Sequence, residues 1–211
     1  MTELILALDV TERRRAIDIA RAVAPHIDRI KIGYPLVLAA GLSVAADLRS
    51  LDLPLIADFK VADIPNTNRL IAEEVFSAGF SALIAHGFVG TDSLAACVDV
   101  AHANSGECYV VAEMSHPGAT EFFHGGVAER IAALATACGA DGIIAPATRP
   151  ERISALRALI GEKKIYSPGV GTQGGDAAVV AELVDGMIVG RSIYQAADPA
   201  AAAAGFAELR R

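Results

Sequence analysis

The sequence lacks the features that would place it in a membrane or hold it together with disulfides. It has no uninterrupted apolar run of the roughly 18 residues that a membrane helix needs, although 53% of its residues are hydrophobic. Its three cysteines are widely spaced and form no C-x-x-C pair, which favours reduced thiols in a cytosol. Glu3 places an acid where a secretory signal carries a base, so we expect a cytoplasmic protein.

Charge and histidine spacing exclude two further classes of site. The formal net charge of -7 argues against a general nucleic-acid or anionic-membrane surface, although a local positive site could still bind an anionic small ligand. The five histidines form neither an H-x-H nor an H-E-x-x-H arrangement, so the sequence predicts no zinc site. We therefore expect a small-molecule ligand, with no nucleic acid and no membrane as partner.

Short β-rich segments alternate with longer helical segments along the whole chain. About eight such units at even spacing predict a (β/α)8 TIM barrel that forms a single domain over residues 1–211. A doubly wound open sheet is the main alternative on pattern alone. The expected strands are Leu4–Asp9, Arg29–Tyr34, Leu53–Lys60, Phe80–Gly87, Cys108–Ser115, Gly142–Pro146, Lys163–Ser167 and Gly186–Val189.

Two segments carry signals for the start of a helix. Thr148 and Glu151 have the spacing of a capping box, with a proline in the first turn. Asp198 precedes Pro199 and an alanine run, which is typical of an N-cap followed by a terminal helix.

Charged residues interrupt strands that should otherwise be continuous apolar runs. Asp9 closes the first strand, Lys31 lies inside the second, and Asp58 and Lys60 close the third. These positions are near the C-terminal strand ends, where barrel enzymes build their active sites. Asp58 and Lys60 are two residues apart, so their side chains share one face, and a buried acid–base pair is typical of a functional site.

Each of these residues also has a purely structural explanation. Asp58 and Lys60 could form a solvent-facing ion pair at a fraying strand end, and Lys31 could extend from a strand edge to water. Asp9 could cap the helix that follows it. Asp63 lies beyond the third strand at a proline turn, and it could cap the third helix.

A second group of residues follows the last two strands. Ser167–Gly175 is rich in glycine, and Gly190 and Arg191 come directly after strand eight. Loops at these barrel positions often form a phosphate site, because glycines expose backbone N–H groups and a guanidinium matches phosphate geometry. The sequence therefore predicts a phosphorylated ligand, and two ordinary turns are the alternative.

The segment Asp58-Phe59-Lys60-Val61-Ala62-Asp63-Ile64-Pro65-Asn66-Thr67 resembles the D-x-K-x-x-D-I-P-N-T signature of the orotidine 5'-monophosphate decarboxylase family. The resemblance extends over essentially the whole chain. It also includes Asp9, Lys31, the segment Met114–Gly118, the loop Pro168–Gly175, and Gly190-Arg191. The compact length and the Ser115 segment are similar to the short, archaeal-type branch.

The resemblance implies an activity and the residues that perform it. The activity is decarboxylation of orotidine 5'-monophosphate to uridine 5'-monophosphate, the last step of de novo pyrimidine biosynthesis, without metal or other cofactor. Lys60 would donate a proton to the ring carbon that loses carbon dioxide, and Asp58 would lie against the departing carboxylate. Lys31 and Asp63 would complete the charged network.

The resemblance also implies a homodimer with shared active sites, in which Asp63 and Thr67 come from the partner subunit. Asp9 and Lys31 would bind ribose, and Ser115 would bind the pyrimidine edge. The phosphate would be held under a lid formed by the glycine-rich loop. The substrate-binding residues implied in this way are Asp9, Lys31, Asp58, Ile64, Thr67, Ser115, Pro168, Gln173, Gly190 and Arg191.

Two other functions compete with this interpretation. A Mg²⁺-dependent sugar-phosphate decarboxylase of the 3-keto-gulonate 6-phosphate type resembles the same D-x-K-x-x-D core, but the Ile64–Thr67 extension and Gln173 favour the orotidine branch. The third candidate is an inactive barrel that only binds nucleotide or a protein partner. Turnover in the presence of EDTA separates the first two, and any turnover excludes the third.

Overall fold

Eight parallel strands close into a barrel in sequence order, β1-β2-β3-β4-β5-β6-β7-β8, in a computed structural model that describes residues 1–211. β8 pairs with β1 and completes the ring, so the predicted (β/α)8 barrel is confirmed and the open sheet is excluded. The strands are β1 (Glu3–Ala7), β2 (Arg29–Gly33), β3 (Leu55–Val61), β4 (Ala82–His86), β5 (Glu107–Val111), β6 (Gly142–Ile144), β7 (Lys164–Pro168) and β8 (Gly186–Val189).

Helices connect the strands and form the outer layer. None of them combines the length and the apolar character that crossing a membrane requires. Short 3-10 helices add Ala24–His26 and Pro117–Ala119. The α-helices are α1 (Arg13–Val23), α2 (Tyr34–Ala40), α3 (Val44–Arg49), α4 (Pro65–Ser77), α5 (Thr91–Ala103), α6 (Thr120–Phe123), α7 (Val127–Ala137), α8 (Pro150–Ile160), α9 (Ala177–Ala181), α10 (Arg191–Tyr194) and α11 (Pro199–Ala207).

The core has two parts because each strand buries both of its faces. In β1, Leu4 and Leu6 belong to a cluster of 55 buried residues that joins the sheet to the helices. Ile5 and Ala7 alternate with them and belong to a separate cluster of 10 residues that fills the barrel interior. Most of the hydrophobic stabilisation therefore comes from docking the helices on the sheet, and the small inner cluster leaves the mouth of the barrel free.

An ion-pair network closes the N-terminal end of the barrel. Arg29 Nε lies 2.8 Å from Glu3, and the same guanidinium contacts Glu107. Lys164 Nζ lies 3.4 Å from Glu3 and 3.2 Å from Glu107. The hydroxyl of Tyr166 donates to Glu3 at 2.6 Å. Two cations and two carboxylates neutralise each other here, and the cavity described below opens at the opposite end of the barrel.

Three strands end two or more residues earlier than their sequences suggest. β1 ends at Ala7 and not at Asp9, β5 at Val111 and not at Ser115, and β6 at Ile144 and not at Pro146. The polar residues at the expected strand ends therefore lie in the loops above the barrel, where backbone and side chains are free to face a ligand.

One helix signal is wrong and one is confirmed. α8 begins at Pro150 without a side-chain cap, so the expected capping box at Thr148 does not form. The Thr148 hydroxyl instead donates to the carbonyl of Ser115 at 3.1 Å, a tertiary contact that no local pattern encodes. The expected cap at Asp198 is present, because its carboxylate accepts the N–H of Ala201 at 3.0 Å at the start of α11.

Candidate active site

A cavity of about 240 Å³ opens at the C-terminal ends of the strands. All eight strands, or the loops that follow them, contribute to its wall. Its apolar lining comes from side chains of the barrel interior, and its polar lining comes from the loops and from β2 and β3. The lining residues used below are Asp9, Lys31, Asp58, Lys60, Ile84, Val111, Glu113, Ser115, Ile144, Pro168, Gln173, Ile188, Gly190 and Arg191.

Asp58 joins two lysines at the floor of this cavity. Lys31 Nζ lies 2.5 Å from Asp58 Oδ2, and Lys60 Nζ lies 2.6 Å from Asp58 Oδ1. Only 5% of the Lys31 side chain and 11% of the Asp58 side chain are exposed, whereas Lys60 is 36% exposed. Neither a fraying ion pair nor a lysine that reaches out to water describes this geometry. All three line the cavity, and Lys60 is the most exposed member of the row.

The charges in this row determine one another's protonation. Burial alone would raise the pKa of Asp58, but the ammonium groups of Lys31 and Lys60 outweigh burial and lower the pKa from 3.8 to about 2. Burial would lower the pKa of Lys31, but the carboxylates of Asp58 and Asp9 overcome that effect and raise it. Asp58 and Lys31 therefore remain charged in a nearly dry environment.

A bulge in β3 brings Lys60 to the cavity. Ala57 pairs with Leu83 and Val61 pairs with Ala85, so three residues of β3 stand where β4 has one. Lys60 has φ +46°, a left-handed conformation that is uncommon for a residue with a side chain. Such a conformation costs on the order of 1–3 kcal/mol and persists where the surroundings impose it.

The residue between the two charges anchors the bulge. Phe59 is buried on the outer side of β3, where its ring stacks on Tyr34 at 5.3 Å and meets Phe80 edge-on at 5.8 Å. Because Phe59 is fixed outward, Asp58 and Lys60 on either side of it are directed inward. The expectation that these two side chains share the inner face is therefore correct.

Asp9 lies in the loop after β1 and faces the cavity. α1 begins after Glu12 and has no side-chain cap, so Asp9 does not cap the helix that follows it. A Cβ atom on Gly33 would lie 2.8 Å from Asp9 Oδ1, which means that the carboxylate needs a glycine beside it. Gly33 is a site residue that carries no chemical signal in the sequence.

The rim of the cavity joins the β5–α6 and β7–α9 segments. Ser115 Oγ donates to Gln173 Oε1 at 2.8 Å. Gly169, Gly171 and Gly174 all have positive φ, which allows the glycine-rich loop to fold back on itself. Thr172 N–H donates to the Ser192 hydroxyl at 3.0 Å, which ties this loop to the start of α10.

Arg191 completes the rim as the first residue of α10. It lines the cavity together with Gly190 and Pro168. Arg191 and the glycine-rich loop therefore line one compartment. A guanidinium suits a phosphate group because it supplies a planar fork of donors. The N–H groups of Gly171, Gly174 and Gly175 are bonded to carbonyls within the loop, so these glycines shape the compartment and do not offer free donors to it.

Glu113 is a buried charge that the sequence patterns missed. It is fully buried just beyond β5, and Arg149 Nε and Arg152 Nε lie 2.8 Å and 2.7 Å from its carboxylate. Arg149 also donates to the carbonyl of Met114, next to Ser115. Glu113 therefore holds the segment that carries Ser115. The rule that drew attention to Asp58 and Lys60, charges at the end of an apolar strand, applies equally to Glu113.

His86 is a second residue that the patterns missed. It lies at the end of β4, and burial together with the Lys60 ammonium lowers its pKa to about 4. Its Nδ1 is buried and has no hydrogen-bond partner within the chain. The imidazole is therefore neutral at pH 7 and adds no positive charge next to Lys60.

Three of the expected site residues do not line the cavity of their own barrel. Asp63 and Ile64 are exposed and Thr67 is partly exposed, all beyond the end of β3. The Asp63 carboxylate accepts the N–H of Ile64 at 2.7 Å. Ile64 is the N-cap of α4 and the helix has no side-chain cap, so the alternative that Asp63 caps this helix is wrong. No group of three or more His, Cys, Asp and Glu side chains is arranged to hold a metal ion.

Comparison with known proteins places the chain among relatives of similar length. The model of the orotidine 5'-phosphate decarboxylase / HUMPS family matches residues 2–206. A protein of Methanococcoides burtonii named orotidine 5'-phosphate decarboxylase is 57% identical over 202 residues, which are 95% of this chain and 93% of the relative. One of the same name from Methanosarcina mazei is 54% identical and covers 98% of this chain and 94% of its own.

Solved structures that resemble the chain are also orotidine 5'-phosphate decarboxylases. The orotidine 5'-monophosphate decarboxylase of Methanocaldococcus jannaschii, complexed with the inhibitor BMP, superposes with a TM-score of 0.95 at 41% identity and covers 99% of this chain and 98% of its own. The orotidine 5'-phosphate decarboxylase of Pyrococcus horikoshii superposes with a TM-score of 0.90 at 44% identity, covering 98% of both chains.

The lowered pKa of Asp58 predicts how stability responds to acid. A carboxylate whose pKa is lower in the folded state stabilises the fold above its unfolded pKa, and this stabilisation is lost as pH falls toward the folded value. Asp58→Asn removes the titration. We expect the difference in unfolding free energy between wild type and Asp58→Asn to shrink by about 2 kcal/mol from pH 5 to pH 2, because the pKa falls from 3.8 to about 2. Urea denaturation at each pH measures the unfolding free energies of the two proteins. A difference that stays constant with pH would contradict the lowered pKa of Asp58.

Proposed function

Because the chain belongs to the orotidine 5'-phosphate decarboxylase / HUMPS family and decarboxylates orotidine 5'-monophosphate to uridine 5'-monophosphate, we propose that the lysine–aspartate–lysine row performs the reaction, with Lys60 as proton donor. The observation that carries this proposal is the bridging of Lys31 and Lys60 by Asp58 at the cavity floor. The sugar-phosphate alternative is not favoured, because relatives that are 54% to 57% identical to the chain are named orotidine 5'-phosphate decarboxylase.

Lys60 supplies the proton in this mechanism. When the bond between the ring carbon and the carboxylate breaks, carbon dioxide leaves and the electron pair remains on the ring carbon. An ammonium held 2.6 Å from Asp58 is a fixed positive charge that stabilises this developing carbanion. Lys60 then transfers a proton to the carbon and recovers one from solvent.

Asp58 has two roles in the same step. It orients the Lys60 ammonium, and its own negative charge lies where the substrate carboxylate must approach. Lys31 is almost fully buried and keeps Asp58 ionised from the opposite side. Ile84, Val111, Ile144 and Ile188 contribute the apolar wall. In such surroundings a fixed charge acts more strongly than it does in water.

The rest of the cavity binds the parts of the substrate that do not react. Asp9 and Lys31 bind the ribose hydroxyls, and Ser115 binds the pyrimidine edge. Gln173, Gly190 and Arg191 bind the phosphate, and Pro168 belongs to the loop that covers it. The hydrogen bond between Ser115 and Gln173 supports closure of this loop as a lid, since it joins the base side of the cavity to the phosphate side.

We also propose that the protein is a homodimer whose active sites are shared. Asp63, Ile64 and Thr67 lie outside their own cavity, and in the dimer they enter the cavity of the partner. Large apolar side chains are exposed on the segments that follow β2, β3 and β4, and a two-fold interface would cover them. They are Tyr34, Leu38, Ile64, Leu70 and Phe88.

Free thiols at Cys97, Cys108 and Cys138 fit a reducing cytoplasm.

Replacing Lys60 by alanine should abolish turnover in a folded protein. We expect kcat to fall at least about a thousandfold, because fixed-charge stabilisation and proton donation are both lost. The assay follows the absorbance of orotidine 5'-monophosphate in EDTA. Lys60→Gly is a second variant, because glycine adopts φ +46° without strain. Lys163→Ala, remote from the cavity, should keep full activity. Near-wild-type turnover by either Lys60 variant would refute the mechanism.

Replacing Arg191 by alanine should act through the phosphate. Loss of a charge-assisted contact costs about 1.5–3 kcal/mol, so kcat/KM for orotidine 5'-monophosphate should fall about 10- to 150-fold. The loss should be much smaller for orotidine, which has no phosphate. Arg14→Ala, on an exposed part of α1, is the matched control and should leave both values unchanged. Equal losses on both substrates would show that Arg191 does not bind the phosphate.

Mixing two inactive variants should restore activity if the sites are shared. Lys60→Ala and Asp63→Ala subunits that reassort at random give about half heterodimers. Each heterodimer has both lesions in one site and none in the other, so about a quarter of all sites are wild-type in composition. We expect activity near a quarter of the wild-type value. If reassorted mixtures stay as inactive as their parents, Asp63 acts in its own barrel.

A further inference from the structure

Asn68 is a fully buried amide in the first turns of α4, a helix whose neighbouring residues Thr67 and Arg69 are partly or fully exposed. Its side-chain Oδ1 accepts the backbone N–H of Asp63 at 2.9 Å. Its Nδ2 donates to the carbonyl of Ser93 on α5 at 2.9 Å. One side chain therefore connects the turn that carries Asp63 to the next helix of the barrel.

Two further hydrogen bonds hold the turn at Asp63. The Asp63 carboxylate accepts the N–H of Ile64 at 2.7 Å, and the N–H of Asn68 donates to the Ile64 carbonyl at 3.0 Å. These two bonds are local and fix the turn relative to α4. Among these hydrogen bonds, the one from the Asn68 side chain to Ser93 links the turn directly to α5, in addition to the packing of α4 on α5.

We propose that Asn68 is a positioning residue for Asp63. This inference rests on the proposed shared site, in which Asp63 must reach the partner's Lys60 across the interface. An exposed turn that is free to move cannot hold a carboxylate at hydrogen-bonding distance from another subunit. A displacement of about 1 Å can cost about a hundredfold in rate when a charge must be aligned with a reacting group.

The chemistry of the contact requires an amide. The position needs one acceptor, for the N–H of Asp63, and one donor, for the carbonyl of Ser93. Aspartate supplies only acceptors when it is ionised, so it keeps the first bond and sets a negative charge against the Ser93 carbonyl. Alanine removes both bonds and leaves the N–H of Asp63 without its buried partner.

Kinetics of single and double variants provide the first test. We expect Asn68→Ala and Asn68→Asp to lower kcat/KM about 10- to 100-fold. Adding Asn68→Ala to Asp63→Ala should cause no further loss, because the amide acts only through that carboxylate. Asn104→Ala is the matched control: Asn104 donates to a carbonyl of α5 at 2.9 Å at the opposite end of that helix. It should leave kcat/KM unchanged. Additive losses of Asn68→Ala and Asp63→Ala would overturn the proposal.

Subunit mixing provides the second test and separates the proposal from its premise. Lys60→Ala mixed with Asn68→Ala should recover about a quarter of wild-type activity, as Lys60→Ala with Asp63→Ala does, because both lesions then affect the same site of the heterodimer. If only the Asp63→Ala mixture recovers, the shared site stands and Asn68 acts inside its own barrel, which overturns the inference. If neither mixture recovers, the shared site is wrong. Asn68→Asp keeps the side-chain volume, and it replaces Asn68→Ala in both tests if the alanine variant fails to fold.

Discussion

One carboxylate, that of Asp58, bridges two ammonium groups at the mouth of the barrel, and the arrangement of the site depends on it. Removing two lysines and an aspartate from water is costly unless each charge has a partner. Asp58 uses one oxygen for Lys31 and the other for Lys60, at 2.5 Å and 2.6 Å. Both oxygens are therefore occupied, and the row carries one net positive charge. A ligand that brings a carboxylate to this place meets Lys60 as its attractive neighbour and Asp58 as its repulsive one.

The two ends of the barrel differ in how their charged side chains are paired. At the closed end, Glu3 and Glu107 match Arg29 and Lys164, and the charges cancel. The inner layer above them is completed by Tyr109 and Tyr166, whose rings stack at 4.4 Å. At the open end Asp58 is shared between Lys31 and Lys60, and Asp9 and Arg191 also line the cavity. The charges that a ligand can reach therefore lie at the C-terminal ends of the strands, where barrel enzymes build their active sites.

The sequence was sufficient to predict the barrel and the residues of its charged floor. Alternation of β-rich and helical segments sets the topology, and a lysine inside Ile30-Lys31-Ile32 is conspicuous because buried parallel strands are apolar. The family signature suggested roles for Lys60 and Asp58. Strand ends were less predictable, because the last residues of β1 and β5 pair or leave the sheet according to the shape of the barrel, which depends on distant strands.

Other parts of the site could not be derived from local patterns. The left-handed φ of Lys60 arises from a bulge imposed by the pairing of β3 with β4 and by the outward packing of Phe59. No propensity favours lysine in that conformation. Thr148 has the spacing of a cap but bonds to Ser115, because the two loops are adjacent only in the closed barrel. The partners of Glu113 likewise come from the residue before α8 and from the first turn of α8, after the next strand.

The position of Asp63 shows which part of the proposed site one chain does not supply to its own cavity. β3 ends at Val61, and two residues later the chain turns into α4, with the Asp63 carboxylate bound to the N–H of Ile64 and its own N–H bound to Asn68. These bonds direct the turn away from its own cavity, so the side of Lys60 opposite Asp58 has no acid from the same chain. In the proposed dimer the partner's turn supplies that acid, and positive and negative charges then alternate along the row. Dimerisation would thereby become a condition for catalysis, since a monomer would leave Lys60 with only one of its two carboxylates.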